Sequence, residues 1–264
     1  MSGPSRWPSL NPPATAAEYA DALRRAKSIA DSYMRRGARA VLLAGSWTRG
    51  DARRWSDLDL WVLGRRSAQR VLRRDGMIIT VKETTAERER RELQDPRVLG
   101  QAVLAWREAR VLADSHRVAA RLQVRARAFR WEDVRSRCDR FVARSLAEWA
   151  EEAVKVTRFL ADGLWESAAV QRNLLVNDLA VLMAIRLRVF YHENGLWEVV
   201  GARMGPTWHR WQRTALSLGG ASLTRSCEAS LRLYCLSARA AKDLLRDRER
   251  AVVARVGELC GMPL

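Results

Sequence analysis

The stretch from Ala40 to Val62 constrains this chain more tightly than any other, because two strand patterns there flank a glycine-led turn. Ala40-Val41-Leu42-Leu43 is a short apolar run of the kind that forms a buried strand. Further on, Leu58, Leu60 and Val62 alternate with Asp57, Asp59 and Trp61, the period-two pattern of a second strand. Alternate residues of a strand point to one face, so Asp57 and Asp59 project side by side. Two carboxylates that close repel unless they share a proton or a cation, and hard oxygen ligands of this kind suit Mg²⁺. Between the strands, Gly45 removes a Cβ and lets backbone N–H groups approach an anion. A helical turn beginning near Ser46 would aim its positive end at phosphates. Neither part is specific alone, since most Asp-x-Asp strands are solvated faces; the joint pattern is what carries information.

The form Gly45-Ser46-x-x-Arg49-Gly50, then Ser56-Asp57-Leu58-Asp59-Leu60, resembles the signature of the DNA polymerase beta-like nucleotidyltransferase superfamily. Within it, the minimal and kanamycin-type, antibiotic-modifying branch is the most similar. The resemblance covers roughly the first half of the chain. It implies a Mg²⁺-dependent enzyme that moves a nucleoside monophosphate from an NTP to an acceptor hydroxyl and releases pyrophosphate. Asp57 and Asp59 would then be catalytic and hold one or two metal ions, with Ser46 and the backbone after Gly45 on the β- and γ-phosphates. Arg49 would clamp a phosphate, or else pair with Asp51 or Asp57. Ser56 would orient Asp57, or simply cap the start of its strand.

In the resembled family a third strand supplies a third carboxylate, as metal ligand or general base. Met77 to Val81 reads as that strand, and its aligned position is Thr80, which can do neither. Glu83 is the nearest acid, a candidate catalytic residue only if a bulge turns it round, because three residues on it faces the opposite side of a regular strand. Otherwise it caps the following helix or is solvated, and the base is another acid, such as Asp114, or solvent.

With 264 residues, 48% hydrophobic and 29% charged, the chain has an ordinary globular balance and room for one large or two modest domains. No apolar run approaches the roughly 20 residues of a membrane span, and the N-terminus lacks a signal-peptide core, so a soluble, cytoplasmic protein is expected. Cys138, Cys227, Cys235 and Cys260 are scattered, as are His116, His192 and His209, and neither set has metal-site spacing.

The net charge of +17 is the most unusual bulk property. Up to Arg130 there are 27 basic against 14 acidic residues, and beyond it 20 against 16, so the excess accompanies the signature. All but four of the basic residues are arginine, whose planar fork suits phosphate, although a compositional bias toward arginine would give the same count. An aminoglycoside acceptor, being a polycation, fits this charge poorly; RNA fits it better, and a protein acceptor, as in antitoxin-like nucleotidyltransferases, is the third choice. No aromatic-basic RNA motif accompanies the charge; Trp47, Trp55 and Trp61 are core or nucleotide-stacking residues. The alternative outside enzymology is a nucleotide- or nucleic-acid-binding module that has lost turnover.

The expected architecture is α+β: a small mixed sheet of about four strands with flanking helices, followed by an all-α bundle. Residues 1–14, with four prolines, read as an extended arm, 15–130 as the nucleotidyltransferase domain and 131–264 as the helical domain. Thr15 and Glu18 make a capping box for a helix running toward Arg36. Arg65 to Arg74 reads as a short basic helix or arm, 87–93 as a helical turn, and Asp95-Pro96 as the start of a helix. Ala109 to Asp114 reads as the strand that closes the sheet. Beyond Glu132 helices are expected over 134–161, 166–191, 207–218 and 223–256. Arg186 and His192 loosely echo the Arg…His motif of bundle-type ribonucleases, but a core-edge arginine and a helix-terminal histidine account for them better.

Overall fold

The computed structural model describes residues 11–64 and 67–262. The chain divides into two compact units: the first runs to Asp95 and resumes over Ala102–Phe129, and the second takes Pro96–Gln101 and the chain from Arg130 onward.

In the first unit, helix α1 (Ala16–Arg35) starts where the sequence places it, with the Thr15 hydroxyl accepting from Glu18 N and the Glu18 carboxylate accepting from Thr15 N. Its inward stripe of Ala22, Ala26, Ile29 and Ala30 is small enough to let the helix lie close on a sheet. That sheet is built from β1 (Ala40–Ala44), β2 (Leu58–Leu63), β3 (Ala68–Arg74), β4 (Met77–Thr84) and β5 (Arg110–Asp114), in the order β3-β4-β2-β1-β5. Only the β2–β4 pair is parallel. Val41, Leu43, Leu58, Leu60, Val62, Ile79 and Val81 form the core against α1.

The sheet has one strand more than expected. The basic segment after Gly64 is not a helix or arm but the edge strand β3, joined to β4 by Asp75-Gly76, both at positive φ (50° and 79°). Two such residues set the twist a tight hairpin needs, and Asp-Gly is a strong signal for it. Arg65 and Arg66 lie outside the described residues.

On the other face of the sheet stand α2′s successors in the chain: Ala86–Glu92, Leu99–Glu108 and Val118–Arg127, labelled α3, α4 and α5, the short helix Ser46–Arg49 between β1 and β2 being α2. Helix α4 begins at Leu99, three residues after Pro96 rather than at it. Lys82 of β4 fixes α3 here. Its Nζ lies 2.9 Å from an oxygen of Glu89 and 2.9 Å from one of Glu92, and 5.1 Å from the centre of the Trp61 ring. Trp106 Nε1 donates to the other Glu89 oxygen at 2.8 Å. Burial alone would lower the Lys82 pKa, but the two carboxylates outweigh it and hold it above its usual value.

The second unit is helical. Its helices are α6 (Arg135–Ala161), α7 (Trp165–Arg186), α8 (Leu196–Met204), α9 (Pro206–Ala215), α10 (Leu223–Ala240) and α11 (Asp247–Leu259). Three expectations are corrected. Helix α7 stops at Arg186 rather than 191, α8 was not foreseen, and the long helix of 223–256 is two, broken at a 3₁₀ turn over Lys242–Leu244. Arg186 explains part of this: its Nε donates to the Ala240 carbonyl at 2.9 Å and its Nη2 to Asp243 at 2.7 Å, filling an orphan acceptor at the end of α10. That arginine is therefore a core-edge brace. Helix α7 is long and apolar enough to cross a membrane by length and composition, yet 56% of its apolar window is buried within the protein, as a core helix requires.

Glu89 is 1% exposed and Lys82 is the cation paired with it. Lys82→Met is expected to cost about 3–5 kcal/mol by leaving a buried carboxylate uncompensated, and adding Glu89→Gln should restore much of it. Denaturant unfolding of both variants checks this; a single-variant loss below about 1 kcal/mol would class the pair with surface ion pairs.

Candidate active site

The site grows from the close approach of β1 and β2. Their antiparallel register sets Ala44 opposite Asp59, so the next residue, Gly45, passes directly by the Asp59 side chain. Gly45 has φ 74°, and a Cβ built on it would stand 2.2 Å from Asp59 Oδ2. Only glycine leaves room for that carboxylate and takes that backbone conformation without strain. The chain then turns through α2, where the Thr48 hydroxyl donates to the Gly45 carbonyl at 2.8 Å. The Ser46 hydroxyl is half-buried and has no hydrogen-bond partner among the described residues.

Asp57 arrives from a loop held at several points. Trp47, buried and edge-on to Tyr19 (5.0 Å between ring centres), donates its Nε1–H to the Asp57 carbonyl at 2.9 Å. The Tyr19 hydroxyl accepts from Ala52 N at 2.8 Å. Residues 11–14 run alongside: Ala14 N donates to Ala52 O, Arg54 N to Pro12 O, and Trp55 N to the Asn11 side chain. The Asp57 carboxylate is thus delivered by a clamped backbone. Its Oδ2 accepts a hydrogen bond from Thr80 Oγ1 at 2.8 Å.

Thr80 is also the β4 partner of Asp59 in the parallel β2–β4 ladder. Thr80 thus binds the Asp57 carboxylate and stands beside Asp59 in the ladder, all three half-buried. Thr80 itself adds no charge.

The other expected residues fall as follows. Glu83 pairs with Val62 in an unbroken register, with no bulge between it and Thr80, so it lies on the opposite face of the sheet from Asp59. There it meets Arg70 of β3 at 3.4 Å and is not brought to the aspartates. Arg49 is ion-paired with Asp51, Nη2 to Oδ1 at 3.1 Å, and not with Asp57. Ser56 accepts from Arg53 N at 2.9 Å and so closes the turn ahead of Asp57 instead of touching its carboxylate. Asp114 is occupied in accepting from Val118 N and Ala120 N, which caps α5. Of the tryptophans, Trp47 is core, Trp61 packs against Trp106 with the rings tilted at 57° and their centres 5.3 Å apart, and Trp55 is 55% exposed.

Sequence reading missed Tyr19, Trp47 and the residues 11–14 as supports for Asp57. Tyr19 was legible only as a position on the buried face of α1, which said nothing of its hydroxyl.

As for a metal, no group of three or more His, Cys, Asp or Glu among the described residues is disposed to hold one unaided. Mg²⁺ does not need such a cage. It is commonly held by one or two carboxylates, with waters and substrate phosphates completing the shell. Asp57 and Asp59 fit that donor set.

No protein family and no curated protein matches this sequence. In chain course the protein is similar to a nucleotidyltransferase-like protein from Exiguobacterium sibiricum, known from a crystal structure. The TM-score is 0.49 and the identity 15%, over 89% of this chain and 77% of that one.

The Gly45 geometry yields a two-variant test. Gly50 is also at positive φ (85°), but a Cβ there meets nothing within 4 Å. Gly50→Ala should therefore cost about 1 kcal/mol of backbone strain, and Gly45→Ala distinctly more, because Asp59 must move as well. Equal losses in denaturant unfolding would mean that the close approach of Asp59 contributes nothing.

Proposed function

We propose that the protein is a Mg²⁺-dependent nucleotidyltransferase that transfers a nucleoside monophosphate from an NTP to an acceptor hydroxyl. The observation that carries this reading is the pair of aspartates at the start of β2, one carboxylate filling the space left by Gly45 and the other held by Thr80. Asp57 and Asp59 would hold the cation, and when bound it would neutralise the triphosphate and stabilise in-line attack at the α-phosphorus. The acceptor oxygen forms the new bond to that phosphorus as the bond to the β-phosphate oxygen breaks and pyrophosphate leaves. The Ser46 hydroxyl and the amides that open α2 are the groups at hand for the departing phosphates. Arg49 reaches a phosphate only by exchanging it for Asp51. The acceptor's proton goes to water in this reading, since Thr80 cannot take it and Glu83 lies on the far face.

The position of Thr80 also favours a second reading, a nucleotide-binding module without turnover. The two are separated by incubating the full chain with Mg²⁺, each α-labelled NTP, and either mixed tRNA or an aminoglycoside panel. Labelled product that disappears with EDTA supports the enzyme. Mg²⁺-dependent NTP binding with no product from any acceptor supports the module, and no Mg²⁺-dependent NTP binding overturns both.

For the enzyme, Asp57→Asn and Asp59→Asn should each abolish transfer while leaving the melting temperature unchanged or slightly higher, because each removes like-charge repulsion and no core contact. Transfer that survives both changes would remove these residues from the mechanism. Glu83→Gln should leave the rate within about twofold, whereas loss of a general base would lower it at least about a hundredfold.

A further inference from the structure

One helix of the first unit, α5, carries a run of basic residues with no acid among them. In β3, Arg70 is paired with Glu83 and Arg74 lies 3.9 Å from Asp75. Several arginines on exposed helices elsewhere find an acid one turn away, as in Arg24–Asp21, Arg88–Glu92 and Arg144–Glu148. Helix α5 offers its arginines no such partner. From Ser115 to Phe129 the chain has four arginines and no Asp or Glu. Arg117, Arg121 and Arg125 fall four residues apart, in one line along the helix, and like charges at that spacing repel. Arg121 and Arg125 are exposed, and neither has an ion pair or side-chain hydrogen bond among the described residues.

These two side chains border a cleft of about 320 Å³ between α3 and α5. Arg90 of α3 stands across it, paired with Glu87. The floor is apolar, made by Ala86, Val118 and Leu122, and Val124 at the rim is 65% exposed. An apolar floor with a guanidinium rim suits a ligand that is flat and apolar on its faces and anionic along one edge. A volume of this size holds one such unit. Double-stranded nucleic acid hides its base faces, whereas an unpaired strand presents them together with its phosphates.

We propose that this cleft docks a single strand of nucleic acid, with one base on the floor of Ala86, Val118 and Leu122 and the adjoining phosphates on Arg121 and Arg125. The proposal stands independently of the chemistry at Asp57 and Asp59, because binding needs no turnover. Both arginines are exposed, Arg125 in the last turn of the helix, and Gln has similar helix propensity, so Arg121→Gln/Arg125→Gln should fold normally; its helical circular dichroism and melting temperature check that.

The test is fluorescence anisotropy of the full chain with a labelled 12-nucleotide RNA of mixed sequence, titrated across salt concentrations. The double variant should bind at least tenfold more weakly at low salt. Its log–log salt slope should flatten by about 1.4, at roughly 0.7 per phosphate contact on single strands. A β3 variant, Arg70→Gln/Arg73→Gln/Arg74→Gln, should keep the wild-type slope. The same strand as DNA tells which nucleic acid is preferred, and binding of either supports the proposal. It is overturned by an absence of binding at low salt, by an unchanged slope in the α5 variant, by the β3 variant losing the slope instead, or by a duplex competing as well as the single strand.

Discussion

A carboxylate oxygen of Asp59 occupies the space into which any residue but glycine at position 45 would put its β-carbon, and the rest of the site depends on that contact. It fixes three things together. The strand register of β1 on β2 places Ala44 opposite Asp59; the positive φ of Gly45 starts the turn into α2; and the carboxylate is set against the backbone rather than out in water. A shift of one residue in the register would move Asp59 to the core face beside Leu58 and Leu60 and break all three. The apolar alternation of β2 thus protects the site, because the core enforces the register that the carboxylate needs.

Asp57 is positioned by a different kind of force. It lies just outside β2, where no ladder holds it, and its placement comes from Trp47, Tyr19 and residues 11–14 acting on the backbone of 52–57. The indole of Trp47 is useful for this because it buries a large apolar surface and still donates one hydrogen bond at its rim. The same residue therefore packs the core against α1 and pins the carbonyl of Asp57. Stability and geometry are coupled here, so changes at Trp47 would be felt at the carboxylate although the side chain never reaches it.

How much of this could be read from sequence follows from the range of each interaction. The β1–turn–β2 unit, the parity that sends Glu83 away from Asp59, and the capping box of α1 are local patterns, and each was legible. The edge strand β3 was obscured by its own composition, because every one of its residues is exposed and no alternation survives on either face; only Asp75-Gly76 announced it. The break between α10 and α11 is set by Arg186, more than fifty residues earlier, and has no local punctuation. The charge of β3 and that of α5 look alike in a residue count. They differ only in which acids the fold brings to them.

With threonine at position 80, the aspartate pair keeps its own electrostatic character. A third acid there would stand against both carboxylates and raise at least one pKa, so that the group would share protons at neutral pH. The Thr80 hydroxyl instead gives its hydrogen to Asp57 and adds no charge to the pair. Further along the same face of the sheet comes Lys82, a cation that would weaken any neighbouring cation site were it free. Glu89 and Glu92 bind it from α3, with Arg88 on the other oxygen of Glu92, so the Lys82 charge is neutralised where it stands. Under the reading proposed above, two carboxylates would supply ligands for one Mg²⁺ whose remaining positions fall to water and phosphate. Affinity for the ion alone is then weak, and it is the triphosphate, arriving with its own oxygens, that completes the site.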